Sequence, residues 1–324
     1  TITEEFPNII FRCILRRWST DSTIARTTYS NCLSTSILVT FLPNYLNLNM
    51  TLAKIFKKNK NIIIGAIHLP PLLGYKDFPG FDVALKNALA DLKAFESGGV
   101  DGIIFENNYD IPHKIFVGAS IISSMTFFGE KLRGATRLPI GVSVLWNDYC
   151  AAFAIAKTIN AQFIRLPVFV DTVRTSYGVV RGDVSVVREY RKSIDAEQIA
   201  LFTDIHVKHS VLLSHHTIEQ SAQLAKKNGA DGVIVTGRWT GDAPDFLELK
   251  RTRHMVGNFP ILAGSGVDKS NIRKVFKIAN GVIVSTALKG GKTRKGEVNV
   301  KGYGQRILKK KVAELIQHAS LVKR

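Results

Sequence analysis

The sequence predicts an α/β protein built as a single (β/α)8 barrel. Three observations predict it. Eight short, β-branched runs recur between residues 61 and 287. Each is nearly continuously apolar, as a strand buried on both faces should be. Amphipathic helical segments lie between them, and strict alternation over about 230 residues favours a closed barrel over an open sheet. No GxGxxG follows the first run, which argues against a dinucleotide-binding sheet.

The elements follow in order. NIIIGAIH (61–68) is the first strand, and FDVALKNALADLKAFESGG (81–99) reads as a helix that Gly98 and Gly99 stop. DGIIFEN (101–107), PIGVSVL (139–145) and QFIRL (162–166) are the second, third and fourth strands. IALFTDIHV (199–207) is the fifth, followed by the helix TIEQSAQLAKKNG (217–229) with Gly229 as its stop. DGVIVTG (231–237), PILAGSG (260–266) and GVIVSTA (281–287) complete the set. The phrase "helix, Gly, x, Asp-Gly, strand" occurs at 98–106 and again at 228–236, an internal echo of the repeating unit.

Hydrophobic residues make up 45% of the 324 residues, enough for a sizeable core. The formal net charge of +18 favours anionic partners, whether phosphorylated small molecules, nucleic acid or a membrane surface. No zinc-finger spacing, helix-turn-helix or aromatic RNA signature accompanies it, so specific nucleic-acid binding is not expected. Cys13, Cys32 and Cys150 suit neither a disulfide framework nor a zinc site, which makes a reducing, cytoplasmic compartment the default. No uninterrupted apolar run reaches the length of a membrane span.

Residues 1–49 differ from the rest. They hold no Lys and no Gly; the first of each are Lys54 and Gly65, and the first Met is Met50. Two readings stand. The natural chain starts at Met50, or the segment is an organelle transit peptide, against which Glu4 and Glu5 count. The expected division is therefore an extension over 1–49 and a barrel with a basic tail over 50–324.

A barrel of this class carries its active site at the carboxyl ends of its strands. Polar residues gather there from all eight strands, and leaving them buried without partners would cost several kcal/mol each. Glu106, Asp204, His206 and Lys208 are the candidate catalytic groups. In TDIHVKHS (203–210), strand alternation would set Asp204, His206 and Lys208 in a row on one face. A carboxylate and an imidazole there could orient each other. Candidate ligand-binding residues are His68, Asn107, Asn147, Asp148, Arg165, His209, Thr236 and Gly237. Arg165, inside a strand, should bond Glu106, Asp204 or an anionic ligand. GSGV (264–267) before a helix starting near Lys269–Asn271, and STALKGG (285–291), point to a phosphate site at Gly264, Ser265, Gly266, Ser285 and Thr286. A divalent metal on Glu106, Asp204 and His206 stays open, although no HxH or HExxH spacing supports it. His215 and His216 read as solvent-facing.

Six blocks in this order resemble the BtpA family: GAIHLPPLLG (65–74), GVDGIIFENNYDIP (99–112), PIGVSVLWNDYCAAFAIA (139–156), DIHVKHS (204–210), GADGVIVTGRWTG (229–241) and GSGVDKSNI (264–272). The resemblance implies a TIM barrel of the ribulose-phosphate-binding type. It also implies an association with photosystem I biogenesis in photosynthetic relatives, where members are peripheral membrane proteins. It marks His68, Glu106, Asn107, Asn147, Asp148, Asp204, His206, Lys208, His209, Thr236, Gly237, Gly241, Gly264, Ser265 and Gly266 as family positions without giving them roles. Pro167 departs from the pattern, where relatives carry Asn, and so does the tail VNVKGYGQRILKKK. Two functions compete. One is an isomerase or lyase, or a sensor, acting on a sugar phosphate or similar phosphorylated metabolite. The other is a non-catalytic peripheral assembly factor for a membrane complex. A homo-oligomer stays open under either.

Overall fold

Eight apolar runs become eight parallel strands that close on themselves. The computed structural model describes residues 52–294 and 297–321; the extension over 1–49 lies outside them. The barrel strands are β1 (Ile62–His68), β2 (Gly102–Glu106), β3 (Ile140–Ser143), β4 (Phe163–Leu166), β7 (Ala200–Ile205), β9 (Gly232–Thr236), β10 (Ile261–Gly264) and β11 (Gly281–Val284). They pair in that order, and β11 pairs back to β1 with Ile62 opposite Gly281. The (β/α)8 reading is correct, with each strand inside its expected run.

The interior is filled by alternate strand residues. Ile62, Ile64 and Ala66 of β1 meet Ile104, Phe163, Phe202, Ile234, Leu262 and Ile283 in one buried cluster. Each large side chain so buried contributes about 1.5–3 kcal/mol. Gly141 leaves room for Phe163, whose nearest ring carbon would sit 2.1 Å from a Cβ at that position. A short helix, α1 (Leu52–Phe56), adds Leu52, Ile55 and Phe56 to the same cluster. The Phe56 and Phe163 ring centroids are 5.7 Å apart. Phe163 begins its strand, so α1 stoppers the amino-terminal end of the barrel.

The helices on the outside start and stop for local reasons. α2 (Phe81–Gly98) ends on Gly99, whose left-handed φ of 94° returns its N–H to the carbonyls of Phe95 and Glu96. α3 (Ala119–Ala135) follows β2. α4 (Tyr149–Thr158) is capped by Asp148, and α5 (Val184–Ser193) by Asp183. α6 (Ile218–Lys227) opens on a full capping box between Thr217 and Gln220. α7 (Phe246–Val256) and α9 (Lys309–Ser320) complete the outer layer. The helix expected to begin near Lys269–Asn271 after GSGV begins just later: α8 spans Ile272–Val275. Asn271 Nδ2 donates to the Gly266 carbonyl and the Asp268 amide donates to Asn271 Oδ1, so a polar turn occupies the start.

One feature was not expected. After β4 the chain forms β5 (Thr172–Thr175) and β6 (Gly178–Arg181), and after β7 it adds β8 (Ser210–Leu212). These make a separate antiparallel sheet in the order β6-β5-β8. Its inner side packs Val173 and Val180 on Trp146, Val168 and Val207, the last from the loop between β7 and β8, at the carboxyl rim of the barrel.

Candidate functional site

The carboxyl ends of the strands surround a cavity of about 810 Å³. One part of its wall, here called the deep wall, carries His68, Glu106, Arg165 and Lys208; another carries Gly264–Asp268 and Ser285–Ala287. A narrower slot of about 100 Å³ shares Glu106, Arg165 and Lys208 and runs between Trp146, Tyr177 and Trp239.

Arg165 organises the deep wall. Its Nε and Nη2 donate to the two Asp204 oxygens at 2.9 and 2.8 Å, and its Nη1 donates to Glu106 Oε1 at 3.1 Å. All three residues are buried. Burial alone would weaken the guanidinium's hold on its proton, but Asp204 and Glu106 outweigh it and push its basicity above the ordinary arginine value. The second Glu106 oxygen lies 3.8 Å from His68 Nε2. His68 is held well below its usual pKa by burial and by the positive charges of Lys289, Lys208 and Arg165, so it is neutral at physiological pH.

Asp204, His206 and Lys208 do not form one row. β7 ends at Ile205, and His206 takes a left-handed φ of 50°, which breaks the alternation. Asp204 is committed to Arg165 rather than to His206, and His206 Nε2 is buried without a hydrogen-bond partner among the described residues. Lys208 turns into the cavity with its Nζ 3.4 Å from Thr240 Oγ1. Burial and Arg165 lower its pKa to about 8, against the opposing pull of Glu106 and Asp204. The candidate metal set is not assembled: no three His, Cys, Asp or Glu side chains come together as ligands among the described residues.

Several rim residues hold loops instead of lining the cavity. Asn107 Nδ2 donates to the Leu145 carbonyl and to Asp110, and its Oδ1 accepts from the Leu145 amide. Asn147 brackets Val168 by the same two-way bond. Asp148 caps α4 through the Ala151 amide and also accepts from Val117. Asn107→Ala should therefore cost about 2–4 kcal/mol in urea unfolding, because it strips partners from buried backbone groups. A loss below 1 kcal/mol would show that this loop is held some other way. His209 Nε2 lies 2.8 Å from Thr240 Oγ1 and meets Trp239 edge-on. Thr236 Oγ1 has no partner among the described residues, and Gly237 lies against the Asp242 carbonyl, where a Cβ would come within 2.3 Å.

The loops after β10 and β11 face the cavity through their backbones. Ser265 and Gly266 are both left-handed, with φ 68° and 53°. A Cβ at Gly266 would sit 2.1 Å from the Asp242 backbone, so the loop requires glycine there. Ser285 Oγ is buried and without a partner among the described residues, and the chain turns at Ser285 into a single 3-10 turn over Thr286–Leu288. Among the described residues, the amides of Ser265, Gly266, Ser285 and Thr286 donate to no backbone carbonyl. Consecutive unspent amides of this kind form an anion-binding concavity.

The site also contains residues that the sequence did not single out. Tyr109 donates to the Lys301 carbonyl, and its ring packs edge-on against Tyr303. Asn299 Nδ2 donates to the Asn108 carbonyl. Thr293, Glu297, Val300 and Lys301 line the cavity. The tail, which the sequence set apart from the family pattern but which lies inside the residues the family model matches, thus covers the mouth of the barrel. Beneath it Lys289 is 1% exposed, donates to Tyr109 Oη at 3.2 Å and lies over that ring. Tyr109 stands three residues after Glu106 at a strand end, the one signal that could have found it. His216 is not free in solvent: its Nδ1 lies 3.0 Å from Asp171 Oδ1, which also accepts from Ser214 and Ser221.

Burial lowers the Lys289 pKa to about 8. An unfolded lysine keeps its proton up to about pH 10.4. Between those values the unfolded chain binds the extra proton, so stability should rise with pH. Lys289→Met should flatten the rise between pH 8 and 10 by on the order of 1–3 kcal/mol, read as the difference between the two proteins' unfolding free energies.

The family model described as the BtpA family matches residues 59–319. An uncharacterized protein of Pyrococcus horikoshii is 35% identical over 245 residues, 75% of this chain and 93% of its own length. The photosystem I biogenesis protein BtpA of Synechocystis is 34% identical over 242 residues, 74% of this chain and 83% of its own. Among solved structures, (S)-3-O-geranylgeranylglyceryl phosphate synthase from Thermoplasma acidophilum, in complex with sn-glycerol-1-phosphate, superposes with a TM-score of 0.51 at 12% identity. It covers 83% of this chain and 98% of its own. That likeness is one of fold.

Proposed function

The chain belongs to the BtpA family, and from the site its barrel carries we propose that it binds a phosphorylated small molecule and acts on it as an isomerase or lyase. One observation carries the reading. A single cavity joins unspent backbone amides on one wall to a buried Glu106–Arg165 pair and Lys208 on the other. The phosphate lies on Ser265, Gly266, Ser285 and Thr286. Glu106 is the base for a proton next to a carbonyl, Arg165 fixes its orientation, and Lys208 polarises the carbonyl. Asp204 acts through Arg165 and does not meet the ligand. The T. acidophilum synthase, a barrel of similar fold crystallised with a phosphorylated substrate, supports the reading by analogy.

Thermal unfolding of the full chain with inorganic phosphate and triose phosphates tests it. A ligand at 100 times its dissociation constant adds about 2.7 kcal/mol, or roughly 5–10 °C for a domain of this size. Ser265→Asp places a carboxylate against the phosphate and should abolish the shift. A cooperative transition that no phosphate compound moves would refute the proposal.

The net charge of +18 favours a second reading, a peripheral assembly factor on an anionic surface. No helix among the described residues is long and apolar enough to cross a membrane. The Synechocystis relative's name gives this reading its context. Under it, sedimentation with anionic vesicles would be unchanged by Glu106→Gln and lost at high salt.

A further inference from the structure

Three lysines line the cavity: Lys208, Lys301 and Lys311. Two are occupied. Lys301 Nζ donates to the Gly291 carbonyl, and Lys311 Nζ donates to the Lys289 carbonyl at 2.9 Å and to that of Ala287. Lys208 differs. Among the described residues its Nζ makes one hydrogen bond, a long one to the Thr240 hydroxyl, and no carboxylate lies within 4 Å of it. It stands where the cavity and the aromatic slot meet, beside Glu106. Its fourth-carbon amine therefore faces the space a ligand would fill.

We propose that Lys208 is a covalent catalyst whose Nζ forms an imine with the carbonyl carbon of a phosphorylated aldehyde or ketone. This rests on the phosphate-binding reading above and narrows its substrate to the carbonyl phosphates. The step balances within the site. The Lys208 ammonium gives up one proton, which a water relays to the Glu106 carboxylate, and its freed lone pair attacks the carbonyl carbon. One of the two protons left on nitrogen moves to the former carbonyl oxygen, giving a neutral carbinolamine. Glu106 returns its proton to that oxygen, which leaves as water. The product is a protonated imine, so one positive charge enters the sequence on nitrogen and one leaves it on nitrogen. That cation withdraws electrons from the neighbouring carbon more strongly than a hydrogen-bonded carbonyl does, and it makes an adjacent C–H or C–C bond easier to break.

The surroundings suit the amine. Arg165 is fixed by Asp204 and Glu106 and cannot leave, so a second cation is always near Lys208. Together with burial this holds the amine's pKa at about 8, close enough to neutrality for a useful fraction of free base. Lys289 has a similarly lowered pKa, yet it is enclosed beneath the tail, bonded to Tyr109, and does not line the cavity.

The test uses the full chain with dihydroxyacetone phosphate and with glyceraldehyde 3-phosphate, each followed by sodium borohydride and peptide mapping by mass spectrometry. The expected result is one reduced adduct on Lys208. It should be suppressed by inorganic phosphate at concentrations that saturate the thermal shift, and lost in Lys208→Arg while the phosphate shift remains. Trapping between pH 6 and 9 should rise about tenfold per pH unit below pH 8 and level off above it. Should Lys208→Arg fail to fold, the wild-type map still decides the point, because it locates the adduct without any variant. A phosphate-dependent thermal shift with no Lys208 adduct from either compound overturns the imine and leaves the phosphate reading standing. An adduct on Lys208 that inorganic phosphate does not suppress supports the amine chemistry and overturns the phosphate reading.

Discussion

Arg165→Met is expected to lower the unfolding free energy by about 3–5 kcal/mol, the largest effect of any single change in the cavity wall. The substitution keeps the bulk of the side chain and removes three hydrogen bonds. It leaves the Glu106 and Asp204 carboxylates buried together with no cation between them. Two carboxylates so placed repel each other and have lost the cation that offset their burial. Urea unfolding of both proteins at pH 7.5 checks this. A gap under 1 kcal/mol would mean that the two acids find other partners.

Glu106→Gln tests the chemistry instead of the frame. Gln offers an oxygen where Oε1 accepts from Arg165 Nη1, so the wall stays in place. Proton transfer by a positioned side chain is worth about 10²–10⁴-fold. If Glu106 is the base, exchange of the α-hydrogens of dihydroxyacetone phosphate with deuterated water should slow by that factor, while the phosphate-dependent thermal shift is kept. Exchange within threefold of the wild-type rate would remove Glu106 from the proton-transfer role. Loss of the thermal shift alongside the rate would place it in binding.

The barrel was legible in the sequence because a strand buried on both faces has few polar positions, and eight such runs leave few topologies. Residues such as Ile62, Ile234 and Leu262 announce themselves in this way. The rim was legible only as a set of polar residues, because type alone does not tell where a side chain spends its hydrogen bonds. Asn107, Asn147 and Asp148 looked like ligand-binding groups and are spent on backbone. Arg165 could be placed because a guanidinium inside a strand must find an anion. His206 could not, since nothing in TDIHVKHS signals a left-handed residue that ends the alternation. The β6-β5-β8 sheet escaped because its strands are three or four residues long, and β8 joins from beyond β7. The tail escaped for a related reason. Asn108 and Asn299 are 191 residues apart, and an irregular segment carries no periodicity to read.

The tail's place over the mouth separates two properties that most enzymes entangle. Glu106, Arg165 and Lys208 sit at or just beyond the ends of barrel strands, where any change disturbs the frame. The cavity's roof, with Thr293, Glu297, Val300 and Lys301, belongs to one short stretch between the last strand and the last helix. Duplicated copies of such a gene could drift apart in what they admit by rewriting that stretch alone, keeping an inherited reaction centre beneath an exchangeable cover.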